Sequence, residues 1–225
     1  MKIKSVEELE DKLQEDLAWR KKEILSFKML IESDEINKKI LLRASVALLC
    51  AHFEGFVKKA SNYYIVYIAS KKIKAEKIKN TLVAIKLKHK IEDCGKTNKH
   101  SVHGEMITIL ENIKEKNFFI KYTDDNPIIS TESNPSSKVL KEILKTIGIE
   151  SDVFDLKARY IDNNLLKNRH YVVHGERYDL RGSEFMETCS IVLTLLESYK
   201  EVIINAAERE LFLKEKINSE NTEGL

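Results

Sequence analysis

Residues 185–207 read FMETCSIVLTLLESYKEVIINAA. Within them Phe185, Cys189, Val192, Leu196, Tyr199, Ile203 and Ala206 recur at alternating steps of four and three. That spacing returns each side chain to one face of a helix, so this segment presents a continuous apolar seam to its neighbours. A seam of this kind needs other helices to cover it, and the rest of the chain supplies them. Ser5 and Glu8 stand at capping-box spacing, and Leu9, Leu13, Leu17, Ile24, Phe27 and Ile31 continue on one helical face, predicting a first helix over about 6–31. A long second helix follows over about 35–70. On it Ile40, Ala44, Ala47 and Ala51 form a small-residue stripe, beside Leu41, Leu48 and Phe56, that invites a close helix neighbour.

Composition agrees with helices joined by few turns. The 225 residues hold only 7 Gly and 2 Pro, with 43% hydrophobic and 33% charged residues. One all-α domain, an antiparallel helix bundle, is the expected fold. Both prolines fall in the polar stretch YTDDNPIISTESNPSS over 122–137, the expected long irregular loop. Short helices are expected near 105–116 and 137–147. A further helix should start at Ser151 or Asp152 and stop at Gly175, where a left-handed cap is expected. The segment 71–92 reads as helix despite the period-two run at 85–91. Residues 71–137 as a whole read as a basic insertion, and 217–225 as a frayed tail. Trp19, Phe27, Phe53, Phe56, Tyr63 and Tyr64 fall at helical positions suited to core packing.

Charge is nearly balanced overall, Lys+Arg 38 against Asp+Glu 36, but it is not evenly spread. Residues 71–99 carry ten lysines against Glu76, Glu92 and Asp93. Such a stretch attracts phosphate backbones without reading bases, or it simply coats a solvated helix face. No apolar run approaches the ~18 residues that span a bilayer, the longest being 46–51 and 191–196, and the amino terminus has no apolar signal core. A soluble protein that does not engage membranes is expected. Cys50, Cys94 and Cys189 are too few and too scattered for a disulfide framework, which points to a reducing cytoplasm, with Cys50 and Cys189 as buried thiols. The absence of G-x-G-x-x-G, P-loop and G-x-S-x-G patterns disfavours nucleotide-fuelled chemistry and the commonest serine hydrolase design.

The chemistry-bearing stretch is Asn168-Arg169-His170-Tyr171-Val172-Val173-His174-Gly175-Glu176, where a helix should end. Arg169 and His174 lie about 140° and about 7.5 Å apart on such a helix, so they do not simply touch. They can reach one phosphate from two sides, guanidinium on the non-bridging oxygens and imidazole on an attacking or leaving oxygen. That plan suits RNA cleavage by the 2′-hydroxyl and needs no metal. A histidine in the last turn meets the carbonyl end of the helix dipole, which attracts cations. His170 and His174 also have the i,i+4 spacing of zinc ligands, but the acidic residue of the metalloprotease motif is missing. His89, Cys94, His100 and His103 read as a basic loop more readily than as a metal cluster. No cofactor or metal is expected.

With these residues in place, the chain resembles the HEPN superfamily of small all-helical proteins, many of them metal-independent endoribonucleases. Their signature is an Arg followed four to six residues later by His, with a polar residue often next to the Arg; Arg169, His170 and His174 occupy those places. The segment Leu48–Lys58, LLCAHFEGFVK, is similar to the second-helix segment of a prokaryotic stand-alone branch. The resemblance implies Arg169 stabilising phosphate charge, His174 as general acid or base and His170 supporting. Asn168 would assist, and Glu54 would orient Arg169 or His170 across the bundle, unless it merely pairs with Lys58 one turn on. Lys58, Lys86, Lys88 and Lys90 would hold RNA. It also implies a homodimer whose two motifs line one cleft, a possible antitoxin partner and a toxin or antiphage role. His170 stands where Asn is commoner. Glu176 stands where antitoxin-modified members carry Tyr, so modification there is not expected. The competing reading is a non-catalytic helical module that binds RNA or a protein through the same cleft.

Overall fold

Every residue of the 185–206 seam is buried, within helix α8 (Gly182–Glu208). The computed structural model describes residues 1–123, 127–129, 131 and 136–214. Helix α1 (Val6–Ser33) starts at Ser5, whose hydroxyl accepts from the Glu8 N–H at 3.1 Å, while the Glu8 carboxylate accepts from the Lys4 N–H at 2.7 Å. The first bond satisfies an amide the first turn leaves unpaired, and the second ties down the residue before the cap. Helix α2 (Lys38–Ser70) packs against both α1 and α8.

Polar contacts set the directions of these helices. Lys21 pairs with Glu197, and Lys200 donates to Gln14 at 3.1 Å, so α1 and α8 run opposite ways. Ser61 and Tyr199 share a buried hydrogen bond of 2.7 Å, and the Tyr64 hydroxyl donates to the Ala206 carbonyl, so α2 and α8 run the same way. The fourth strut is short α6 (Ala158–Tyr160), a π-helical turn (Ile161–Leu166) and α7 (Lys167–Val173). Phe154 before it touches Tyr199, and the Tyr160 hydroxyl donates to Thr188 at 2.8 Å, so it runs against α8 and completes an up-down bundle.

Several expectations are corrected. The stripe of Ile40, Ala44 and Ala51 is exposed, Ile40 by 70%, because α1, α8 and α7 cover the other sides of α2. Trp19 is 47% exposed; its indole donates to Asp16 at 3.1 Å and lies against the Arg20 guanidinium, so it caps a polar cluster instead of filling the core. Helix α2 is long and apolar enough to cross a membrane, contrary to the reading of short apolar runs alone. Half of that stretch is buried inside the bundle, as a core helix would be.

The segment 71–92 is not one helix. A 3₁₀ turn (Ala75–Lys77) is tied down by Ala75 N–H to Lys116 O and Lys79 N–H to Phe212 O, each 2.9 Å, and α3 begins only at Asn80, running to Gly95. The period-two run at 85–91 is helical, with Leu87 buried and Ile91 44% exposed. Helix α4 (His100–Ile113) starts earlier than expected. Helix α5 (Ser137–Thr146) is capped by Ser136 and stopped by Gly148 at φ 81°. The helix expected from residue 151 begins only with a 3₁₀ turn at Asp155–Lys157. Within the expected loop, Asn62 Oδ1 accepts from the N–H groups of Ile128 (2.8 Å) and Ile129 (3.1 Å). Residues 124–126, 130 and 132–135 of that loop, and the expected frayed tail 217–225, lie outside the described residues.

Candidate functional site

Helix α7 carries the Arg169–His174 stretch and ends as the glycine predicts. Gly175 has φ 76°; its N–H donates to Val172 O at 3.2 Å and the Glu176 N–H to Tyr171 O at 2.9 Å. This pair of bonds is a Schellman cap, which a residue with a Cβ enters only against steric resistance. His174 is the residue before it, and its N–H donates to His170 O at 3.0 Å. The cap therefore sets where the imidazole of His174 projects. Beyond it, Tyr178 stacks on Tyr171 with ring centres 6.0 Å apart, folding the following loop back on α7.

His170 and His174 come together. Their ring centres are 4.2 Å apart with planes inclined by 51°, and both side chains are exposed. Arg169 and Asn168 lie on the half-buried side of the same helix. The guanidinium of Arg169 faces α2 closely enough to act electrostatically on Cys50, and so does the carboxylate of Glu54. Burial pushes the Cys50 thiol up to about 12, with Arg169 opposing the rise and Glu54 adding to it. Cys50 is thus a neutral packing residue whose thiol donates to Leu165 O at 3.3 Å, pinning the turn before α7.

Glu54, one turn from Cys50 on α2, acts on the same thiol as Arg169, and its Oε1 accepts from the Thr131 hydroxyl at 2.6 Å. Lys58 is half-buried one turn further on, where its carbonyl accepts from Asn62. The α3 lysines are distributed differently. Lys90 is tied to Glu105 of α4 at 3.0 Å, and Lys88 lies 3.9 Å from Glu92, while Lys86 is exposed. The basic stretch is thus partly neutralised within its own hairpin.

Sequence reading missed the π turn at Ile161–Leu166. There the Lys167 N–H bonds Asp162 O, inserting one extra residue just before the motif and changing which α7 side chains face α2. Asp162 also holds α5, accepting from the N–H of Ser137 at 2.8 Å and from its hydroxyl at 2.5 Å. Nothing in the local composition signals the extra residue.

The histidines further from the motif have local duties. His103 Nε2 lies 3.2 Å from Cys94 O and 3.0 Å from Thr97 O, stitching the α3–α4 turn. Among the described residues no group of three or more His, Cys, Asp or Glu is arranged to hold a metal ion. His52 is buried on α2 with Nε2 3.2 Å from Glu23 Oε2 of α1. Burial holds this imidazole below its ordinary value, Glu23 resisting the fall and Arg20 adding to it.

Neither curated proteins nor solved structures gave a match to the chain. The family model described as RiboL-PSP-HEPN matches residues 15–205, from the middle of α1 to the last turns of α8. That span takes in all four struts of the bundle and the Arg169–His174 helix end. An all-helical chain matched over this length belongs to the RiboL-PSP-HEPN family of the HEPN superfamily.

Proposed function

We propose that this protein is a metal-independent endoribonuclease. Arg169, held at the α2 face, binds the non-bridging oxygens of one phosphate and offsets the charge that develops there. His174 exchanges the proton at one bridging oxygen, with His170, 4.2 Å away ring to ring, beside it. The ribose 2′-hydroxyl loses its proton and its oxygen bonds to phosphorus. The P–O5′ bond breaks, and the departing oxygen is protonated. The products are a 2′,3′-cyclic phosphate and a 5′-hydroxyl. The observation that carries this reading is the capped end of α7, which gathers two imidazoles on an exposed face beside a guanidinium anchored from behind.

An open face closes best against a second copy. The exposed stripe of Ile40, Ala44 and Ala51 lies roughly 80–120° around α2 from Cys50, the residue facing Leu165, and Val173 of α7 is 58% exposed. Homodimerisation over this apolar face would set two motifs around one strand and let each protomer contribute to the same phosphate. A toxin or antiphage role restrained by an antitoxin fits an RNase of this family.

Purified protein incubated with RNA in EDTA should yield fragments ending in 2′,3′-cyclic phosphate. Arg169→Ala and His174→Ala should each lower the rate by about 10²–10⁴-fold, and Arg169→Lys should not restore it, because a point charge lacks the guanidinium fork. Dependence on added metal would point to the His170–His174 pair as ligands. RNA affinity without any product would make the chain a binding module.

A further inference from the structure

Just after α2, Lys74 forms an antiparallel β-bridge with Asn117, held by the bonds of Phe118 N–H to Ile73 O (2.7 Å) and Ala75 N–H to Lys116 O (2.9 Å). Alternate side chains of an extended segment point opposite ways. Phe118 is fully buried, whereas its neighbour Phe119 is 64% exposed. Phe119 and Ile120 form the wall between two grooves. The first, about 530 Å³, is lined by Lys2, Lys4 and Lys72 together with Val66 and Ala69 of α2. The second, about 370 Å³, is lined by Lys86, Lys88, His89 and Lys121 and bounded by Pro127 and Ile128. Among the described residues no carboxylate lines either groove; the nearby Glu92 reaches Lys88 at 3.9 Å and His89 at 3.6 Å.

An exposed aromatic ring between two cation-lined grooves is the chemistry of single-strand binding, in which bases stack on the ring and phosphates follow the lysines. An amphipathic membrane anchor would instead present a broad apolar face on a helix. We propose that the Phe119 surface binds a single RNA strand, as an exosite for the substrate that Arg169 and His174 cleave. This rests on the nuclease reading for the identity of the substrate. The second groove leads toward that site. Its rim residue Ile128 is held by Asn62, and Thr131, a few residues on, donates to Glu54. From Val66 to Glu54 is twelve residues of α2, or about 18 Å, so only a strand of several nucleotides reaches both surfaces.

The test uses the full chain carrying His174→Ala, so that RNA is bound without being consumed. Anisotropy of a labelled uridine oligomer of about 16 nucleotides reads the affinity. Phe119→Ala should weaken binding about tenfold, the loss of one stacked base. Lys72→Ala with Lys121→Ala should lower the slope of log affinity against log salt by about 1.4, near 0.7 for each phosphate released. With His174 restored, Phe119→Ala should raise KM for the long strand while leaving kcat, and cleavage of an oligomer of about 4 nucleotides, as they were. Thermal melting checks that the exposed ring is not needed for folding. Unchanged affinity in both variants overturns the exosite. So does a loss of binding to polyglutamate or phosphatidylserine vesicles without any loss for RNA. If Phe119 governs binding but the native chain never cuts, the nuclease reading fails and the strand-binding surface stands. If cleavage occurs and Phe119 is irrelevant to binding, the reverse holds.

Discussion

Replacing Gly175 by alanine tests whether the α7 cap positions His174. Open space surrounds the position at which a Cβ would stand on Gly175, so the substitution meets no steric neighbour, and its whole effect comes from φ 76°. An L-residue in that left-handed region is disfavoured by about 1–2 kcal/mol. The alternative is to release the cap and free the amides of Gly175 and Glu176 from Val172 O and Tyr171 O. The α7 end should therefore open more often by about 5- to 30-fold, which is that free energy converted at 1.4 kcal/mol per decade. Hydrogen exchange at the Gly175 and Glu176 amides should accelerate by that factor, while amides in the middle of α8 keep their protection. Gly175→Asn should recover part of the loss, since asparagine tolerates the left-handed region better, and RNA cleavage should follow the same order, Gly over Asn over Ala. Equal exchange in the Ala and Gly proteins, or an Asn variant no better than Ala, would refute the cap as the device that sets His174.

Three further outcomes follow from buried polar groups. His52 has a depressed pKa in the folded chain, so the unfolded chain binds its proton more readily. Stability should be full above the ordinary imidazole value near 6.5 and fall as pH drops toward the depressed one; His52→Gln should flatten that part of a urea-midpoint profile. Asp16→Ala should destabilise by about 3–5 kcal/mol, because it leaves the Arg20 guanidinium, bonded to Asp16 at 2.6 Å and only 8% exposed, without its counter-charge; denaturant melts read this directly. Ser61→Ala and Tyr199→Phe should each lose about 1–3 kcal/mol by orphaning a buried partner across a 2.7 Å bond, and the double variant should lose less than the sum in a denaturant cycle.

The regular parts of the fold were legible because their signals are local and repeated. The α8 seam, the Ser5 cap and the Gly175 stop each rest on spacing within a few residues, and the structure places all three as expected. What failed depended on neighbours remote in sequence. The stripe of Ile40, Ala44 and Ala51 looks like a packing face by composition, but α1, α8 and α7 occupy other sides of α2. Gly55 depends on a remote neighbour in the same way: a Cβ there would come within 2.7 Å of Arg20 Nη1 of α1, so the glycine makes room for a buried side chain. At the candidate site, one motif singles out Arg169, His170 and His174, and the structure brings the two imidazoles together. Lys90 pairs with Glu105 across the α3–α4 turn, a partner that nothing in its own segment signals.

Helix α2 shows how the polar residues of this chain set register as well as stability. Its apolar side chains would accept many sliding arrangements of the bundle, since hydrophobic burial has little directionality. Its polar side chains accept one. His52 meets Glu23 of α1, Ser61 meets Tyr199 of α8, Asn62 meets the backbone at 128–129, and Cys50 meets Leu165 before α7. Each contact joins α2 to a different element, so together they fix the axial position of all of them. Arg169 of α7 acts electrostatically on Cys50 of this same helix, and a slip of α7 by one turn, about 5.4 Å, would carry the guanidinium away from it. The exposed imidazoles, by contrast, have no described bond to α2. Arg169 is thus half-buried against α2 while both histidines are exposed, and on the proposed nuclease reading the first would hold a phosphate and the second would move a proton.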